Sequence, residues 1–168
     1  MGKVFFVLLL ALFLSFNVLA EEEPQSIELP AGINLTYPGN WKVVEEPETQ
    51  EILRLGDERN NALFSIFLYE IEGTTLEAFA EYMVNHFSEG NWEKTGELEE
   101  HSWEGIEEGL VINMETGLGE DDVLKGYYLF FRVENRYFLG RFVVAGQVWE
   151  EYEEDWMFIK DRIKGQQD

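Results

Sequence analysis

Along most of this chain apolar and polar positions alternate with a period of two, and in two places the spacing changes to three and four. The densest stretch is Gly126 to Gly146, GYYLFFRVENRYFLGRFVVAG. Two runs of aromatic and β-branched residues flank Glu134-Asn135, and Asn tolerates the positive φ that a two-residue hairpin loop needs. With those residues as the loop, Tyr127, Leu129, Phe131 and Val133 share a face with Phe138, Gly140, Phe142 and Val144. The other face carries Tyr128, Phe130, Tyr137, Leu139 and Val143, relieved only by Arg132 and Arg141. A hairpin wetted on one side alternates with polar residues, so two apolar faces predict a mid-sheet position with a layer packed on each side.

Other strands read more faintly. Ile33, Leu35 and Tyr37 alternate with Asn34 and Thr36; Pro38-Gly39-Asn40 turns the chain, and Trp41 and Val43 begin a return strand. Ile52 to Leu55 and Ala62 to Ile71 predict two strands joined by a polar loop, Gly56 to Asn61. A helix follows, with Thr74 as N-cap and Glu77 completing a capping box. Its stripe is Leu76, Phe79, Ala80, Met83 and Phe87, and Gly90 ends it. Trp92 to Glu104 is Glu-rich, anchored by Leu98 and Trp103, and Gly105 to Gly109 leads into a strand at Leu110 to Met114. A glycine and acid loop, Thr116 to Asp122, reaches the hairpin. The last helix places Trp149, Tyr152, Trp156, Ile159 and Ile163 on one stripe, with Gly165 as its cap. Acids crowd its first turns, and Lys160, Arg162 and Lys164 its last, the polarity the helix dipole favours.

The sequence of Gly32, alternating apolars, Tyr37-Pro38, two turn residues and Trp41, with the later Gly105 lead-in to a strand, resembles the PsbP-like family. That resemblance spans about Ile27 to Lys164. It implies an α+β fold, an antiparallel β-sheet sandwiched by helices in an α/β/α arrangement, and a secreted bacterial relative of the family. The founding member is a non-catalytic assembly and cofactor-retention subunit of photosystem II in the thylakoid lumen. None of its functional residues matches a position here, so the resemblance implies a fold and transfers no site.

The first 20 residues read as a signal peptide, with Lys3, an apolar run from Val4 to Phe16, and Val18-Leu19-Ala20 at the cut. That run is short for a membrane span, which needs about 20 apolar residues. The expected organisation is a flexible acidic leader over 21–26, one domain over 27–164 and a tail over 165–168, with no stable membrane anchor after cleavage. The chain has no cysteine, which excludes disulfides, thiolate chemistry and a lipid-modified N-terminus. Acids outnumber bases 34 to 12, for a net charge of −22. Such a surface repels nucleic acid and anionic lipid, and suits either solubility in the exterior or the recruitment of cations or a basic envelope protein.

Candidate chemistry is sparse. Histidine occurs only as His86 and His101. His86 lies on the first helix near Glu81 and Tyr82, and reads as a surface or packing residue. His101-Ser102 invites a base and nucleophile reading, but adjacent residues of a strand point to opposite faces and no nucleophile-elbow sequence surrounds Ser102. No histidine pair has zinc spacing. Glu115, Glu120, Asp121 and Asp122 are calcium candidates by ligand type, without EF-hand spacing. Trp92 and Trp103 form either a binding platform or core. Arg132 and Arg141, with Tyr128 and Tyr137, form either a polar ligand cleft under a helix or a snorkelling edge. The expectation is a non-enzymatic binding or assembly module without a cofactor, the alternative being a small-ligand or calcium-binding domain.

Overall fold

The computed structural model describes residues 22–44, 49–117 and 123–166. The stretch 1–20, expected to be a signal peptide, lies outside the described residues. In chain order the elements are β1 (Gln25–Leu29), β2 (Ile33–Tyr37), β3 (Trp41–Val43), β4 (Glu51–Asp57), β5 (Ala62–Glu70), α1 (Leu76–Glu89), β6 (Glu93–Lys94), β7 (Glu99–Glu100), β8 (Glu108–Gly117), β9 (Val123–Val133), β10 (Arg136–Ala145), α2 (Trp149–Lys160) and β11 (Ile163–Lys164).

Strands β9 and β10 are the predicted hairpin, with Val133 opposite Arg136 and Glu134-Asn135 as its loop. The positive φ falls on Glu134 (57°) instead of Asn135. The pair lies inside an eight-stranded antiparallel sheet of order β3-β4-β5-β10-β9-β8-β6, with β7 also on β8. Phe130, Phe131, Phe138 and Phe142 are wholly buried. At about 2–3 kcal/mol for each buried side chain of this size, the hairpin dominates the apolar stabilisation around it.

Each face of the sheet has its own core. Leu129, Phe131, Phe138, Phe142 and Val144 pack with β2, Trp41 and the Tyr152, Trp156 and Ile159 stripe of α2. Tyr128, Phe130, Tyr137 and Leu139 pack under Leu76, Phe79, Ala80, Met83 and Val84 of α1. The fold is therefore α+β, a large antiparallel sheet with a helix on either face. The α2 side also carries a second sheet, β1-β2-β11.

That small sheet accounts for three departures from the sequence reading. Strand β3 does not return along β2. It pairs with β4, which lets Trp41 pack on Phe142 at 5.6 Å and donate its indole N–H to Asp155 Oδ2 at 2.8 Å. Helix α2 stops at Lys160, and Ile163 pairs with Leu35, because the free edge of β2 needs partners. Arg162 and Lys164 thus lie beyond the helix. The strand β1 begins at Gln25, inside the stretch expected to be leader. A fourth departure concerns α1, whose N-cap is Thr75 rather than Thr74: the Thr75 hydroxyl accepts from Ala78 N at 3.2 Å. The Thr74 carbonyl instead accepts the Tyr137 hydroxyl at 2.7 Å. With Thr75 as the cap, Ala78 takes the third helical position and Glu77 the second, so Glu77 is not the partner of a capping box.

Candidate functional site

Concavity concentrates where the 101–109 loop meets the start of α1. Strand β7 pairs Glu99 and Glu100 with Val111 and Leu110 of β8, and His101 N extends the ladder to Gly109 O at 2.9 Å. The loop then folds Trp103 inward, where its indole N–H donates to the Lys160 carbonyl at 2.6 Å. Gly109 must lack a side chain, since a Cβ there would fall 2.2 Å from the Trp103 ring and 2.5 Å from the His101 carbonyl oxygen. Gly105 takes φ +72° and faces Gly165, whose N–H donates to the Glu104 carbonyl at 2.8 Å. These contacts clamp the loop to the end of the chain.

Two clefts result, sharing His101 and Ser102. The first, about 400 Å³, is bounded by Thr75, Leu76 and Glu77 of the α1 start, by Glu100 to Ser102, and by Glu107 to Leu110. The second, about 320 Å³, runs from His101 past Trp103 and Glu104 to Asp161, Ile163 and Lys164. Four glutamates thus surround the first cleft. Arg132 sits behind it, with Nη2 at 3.4 Å from Glu107 and 3.2 Å from Glu108. Its pKa is held above the ordinary guanidinium value, first by a hydrogen bond with Tyr137; burial opposes that rise, and the Glu108 and Glu107 carboxylates add to it. Among the described residues no lysine or arginine lies within ion-pair reach of Glu77 or Glu100.

The cleft is not arranged for nucleophilic chemistry. His101 packs edge-to-face on Trp103 at 4.4 Å, and its Nε2 lies 3.9 Å from Asp161, beyond hydrogen-bond length. Burial first, then Lys160, lower its pKa against the pull of Asp161, which keeps the ring neutral near pH 7. Ser102 is exposed. What the cleft offers is carboxylates around a hollow, and that favours positive charge.

The other candidates disperse. Arg132 pairs with Tyr137 and Arg141 with Tyr128 in the register of β9 and β10, and the Phe130 and Leu139 row lies between them. At about 3.3 Å per residue these polar points are about 13 Å apart, so the four residues do not line one cleft. Trp92 packs on Tyr128 in the α1-side core and Trp103 in the opposite core, so they share no platform. His86 is exposed, 3.8 Å from Glu89. Glu115 is 3.9 Å from Lys125, its neighbour across β8 and β9. Glu120, Asp121 and Asp122 lie outside the described residues, among which no group of three acids or histidines is placed to hold a metal.

A carboxylate that sequence reasoning passed over is central to the α2 side. Asp57 is 5% exposed. Its Oδ1 accepts from Asn61 N at 2.7 Å and Ala62 N at 2.8 Å, and its Oδ2 from Arg59 N at 2.9 Å and the Tyr152 hydroxyl at 2.7 Å. Burial pushes its pKa up, but these hydrogen bonds together outweigh burial and set it below the ordinary value. The signal was available, since Asp before a polar turn commonly accepts from the backbone two residues on. Its role is to fasten the β4–β5 turn to α2.

The sequence matches no protein-family profile and no curated protein. Its fold does match solved structures. Cyanobacterial PsbP (CyanoP) from Synechocystis superposes with a TM-score of 0.62 at 14% identity, over 90% of this chain and 98% of that one. LpqN of Mycobacterium tuberculosis, described as involved in cell envelope biogenesis, gives 0.57 at 8% identity over 84% and 90%. The Ran-binding protein Mog1p of Saccharomyces cerevisiae gives 0.55 at 9% identity over 84% and 95%. The chain has the PsbP/Mog1p-like fold. At such identities the likeness is one of fold.

Proposed function

We propose that this protein is an exported, non-catalytic binding module that takes up a basic segment of an envelope protein in the cleft between the α1 start and the 101–109 loop. The observation that carries this reading is the charge of that cleft: Glu77 of α1, Glu100 of β7, and Glu107 and Glu108 where β8 begins, with one arginine behind the last two. A lysine- or arginine-bearing segment would neutralise Glu77 and Glu100 without displacing an ion pair among the described residues. Export rests on the pattern of residues 1–20. Among the described residues no helix is long and apolar enough to cross a membrane. The fold is compatible with protein binding, since Mog1p carries that description, and with envelope work, since LpqN does.

The test is affinity capture from the native envelope with the wild-type protein and with Glu77→Gln/Glu100→Gln, eluted across a salt gradient. Exposed ion pairs are screened beyond about 8 Å at physiological salt, so a partner held this way elutes early and steeply. The expected result is one stoichiometric partner whose capture falls several-fold with the double variant. Equal capture by both proteins overturns the assignment to this cleft.

A further inference from the structure

The face of the sheet under α1 holds a second feature, in a different place and of the opposite charge. Across four strands one row reads Arg54 of β4, Ser65 of β5, Arg141 of β10 and Tyr128 of β9, each opposite the next. Arg54 is engaged with Glu51, Nε to Oε1 at 2.9 Å and Nη2 to Oε2 at 2.7 Å. Arg141 is not. In a chain where acids outnumber bases almost three to one, no carboxylate among the described residues lies within ion-pair reach of it. Its guanidinium lies over the Phe67 ring, 5.2 Å from the centroid. Its Nε is buried without an acceptor, and the hydroxyl of Ser65, a residue of 0% exposure directly across the strand pair, is buried without a partner.

Two unmatched polar groups facing one another in a packed sheet are costly, because each has given up water without replacement. Nearby groups do not resolve it. Tyr69 and Tyr128 stand close enough for the Arg141 charge to pull down phenol pKa values that burial raises, yet neither phenol oxygen accepts from the Arg141 Nε, and each phenol also has an O–H to donate. The set is therefore rich in donors: a guanidinium fork, a hydroxyl and two phenols. Phe67, Leu63 and Val143 give it an apolar border, the last two half-buried.

We infer that Arg141 and Ser65 form a binding site for the carboxylate of a small apolar acid. A carboxylate matches the guanidinium fork with two parallel charge-assisted hydrogen bonds, which exceed a single cation–π contact in strength. The Nε and the Ser65 hydroxyl are both buried, so binding requires the guanidinium to turn off the Phe67 ring and meet the ligand. The strongly negative protein selects a monoanion over a phosphate dianion, and the Phe67 border selects an apolar body. This site does not depend on the acidic cleft; either can fail without the other.

The test is a titration of the protein with sodium benzoate at constant ionic strength, with inorganic phosphate and chloride in parallel, following the arginine Nε–Hε signals by NMR. The expected result is a saturable shift of the Arg141 signal with benzoate only. Affinity should fall at least tenfold in Arg141→Lys and three- to tenfold in Ser65→Ala. A non-saturating drift common to all three anions overturns the proposal, as does benzoate binding of unchanged affinity in both variants. Should Arg141→Lys fail to fold, the wild-type shift and Ser65→Ala decide the matter, since removing one hydroxyl leaves the packing intact.

Discussion

Replacing Asp57 by Ala removes the acceptor for four donors at once. Two of them are enclosed, since Ala62 and Tyr152 are each 4% exposed. Their N–H and O–H groups cannot turn to water. Arg59 and Asn61 sit at the rim of the turn, where water can replace the carboxylate. At about 1–3 kcal/mol for each buried orphan, the enclosed pair sets a loss of about 2–6 kcal/mol. For a domain of this size, at about 3 °C per kcal/mol, that is a fall in Tm of about 6–18 °C. Asp57→Asn keeps an oxygen for Asn61 and Ala62 but sets an amide N–H₂ against Arg59 N, while the Tyr152 hydroxyl can reverse to accept. It should cost about half as much. Thermal and urea unfolding, read by tryptophan fluorescence, give both numbers. A loss below about 0.5 kcal/mol for Asp57→Ala would refute the fastening role, since that is the range of surface substitutions away from such features. The pH dependence is an independent check. The folded pKa of Asp57 lies below the ordinary value, so its contribution is complete above the unfolded pKa of about 3.9 and disappears as pH falls through the lower folded value. The stability gap between wild type and Asp57→Asn should therefore close on acidification below about pH 4.

Gly109→Ala drives a Cβ into the Trp103 ring and against the His101 carbonyl, so it should displace the 101–109 loop at a cost above the about 1–3 kcal/mol of ordinary overpacking, seen as altered tryptophan emission and a lower Tm. Trp103→Phe leaves the Lys160 carbonyl without its indole donor and should cost about 1–2 kcal/mol, with faster amide hydrogen exchange in the last turn of α2. Asp155 behaves oppositely to Asp57. Burial first, then the charges of Asp57 and Glu154, raise its pKa against the Trp41 hydrogen bond, so its ionised form disfavours the fold at neutral pH. Asp155→Asn keeps an acceptor for Trp41 and should leave Tm at pH 7 equal or higher. Any gain should vanish as acid protonates the wild-type carboxyl.

The hairpin could be read from sequence because both its faces are apolar and its loop has two residues, which fixes the register and hence the layers above and below. The second sheet could not. Strand β11 has two residues and continues the spacing of α2, so Ile163 fits a helical stripe as well as the edge of β2. Only the unpaired backbone of β2 decides between them. The cleft was hidden for a related reason. Glu77, Glu100, Glu107 and Glu108 belong to three separate segments of a chain rich in glutamate, and nothing marks them locally. They converge because β7 pairs with β8 and because the first turn of α1 sets Glu77 at the rim of the same hollow. Arg132 and Arg141 were visible as the only polar interruptions of one hairpin face. Their separation follows from the rise along a strand, and the different surroundings of the two guanidiniums depend on neighbours far away in sequence.

The most direct test of the binding reading is where a basic peptide docks. An eight-residue peptide of alternating Lys and Arg, titrated into the ¹⁵N-labelled protein at two salt concentrations, places the contact by amide shifts. The cleft reading predicts saturable, salt-sensitive shifts confined to Glu77, Glu100 to Ser102 and Glu107 to Leu110, lost in Glu77→Gln/Glu100→Gln. Shifts centred instead on Glu150, Glu151, Glu153 and Glu154 of α2, or spread evenly over the acidic surface and unchanged in the double variant, would contradict it.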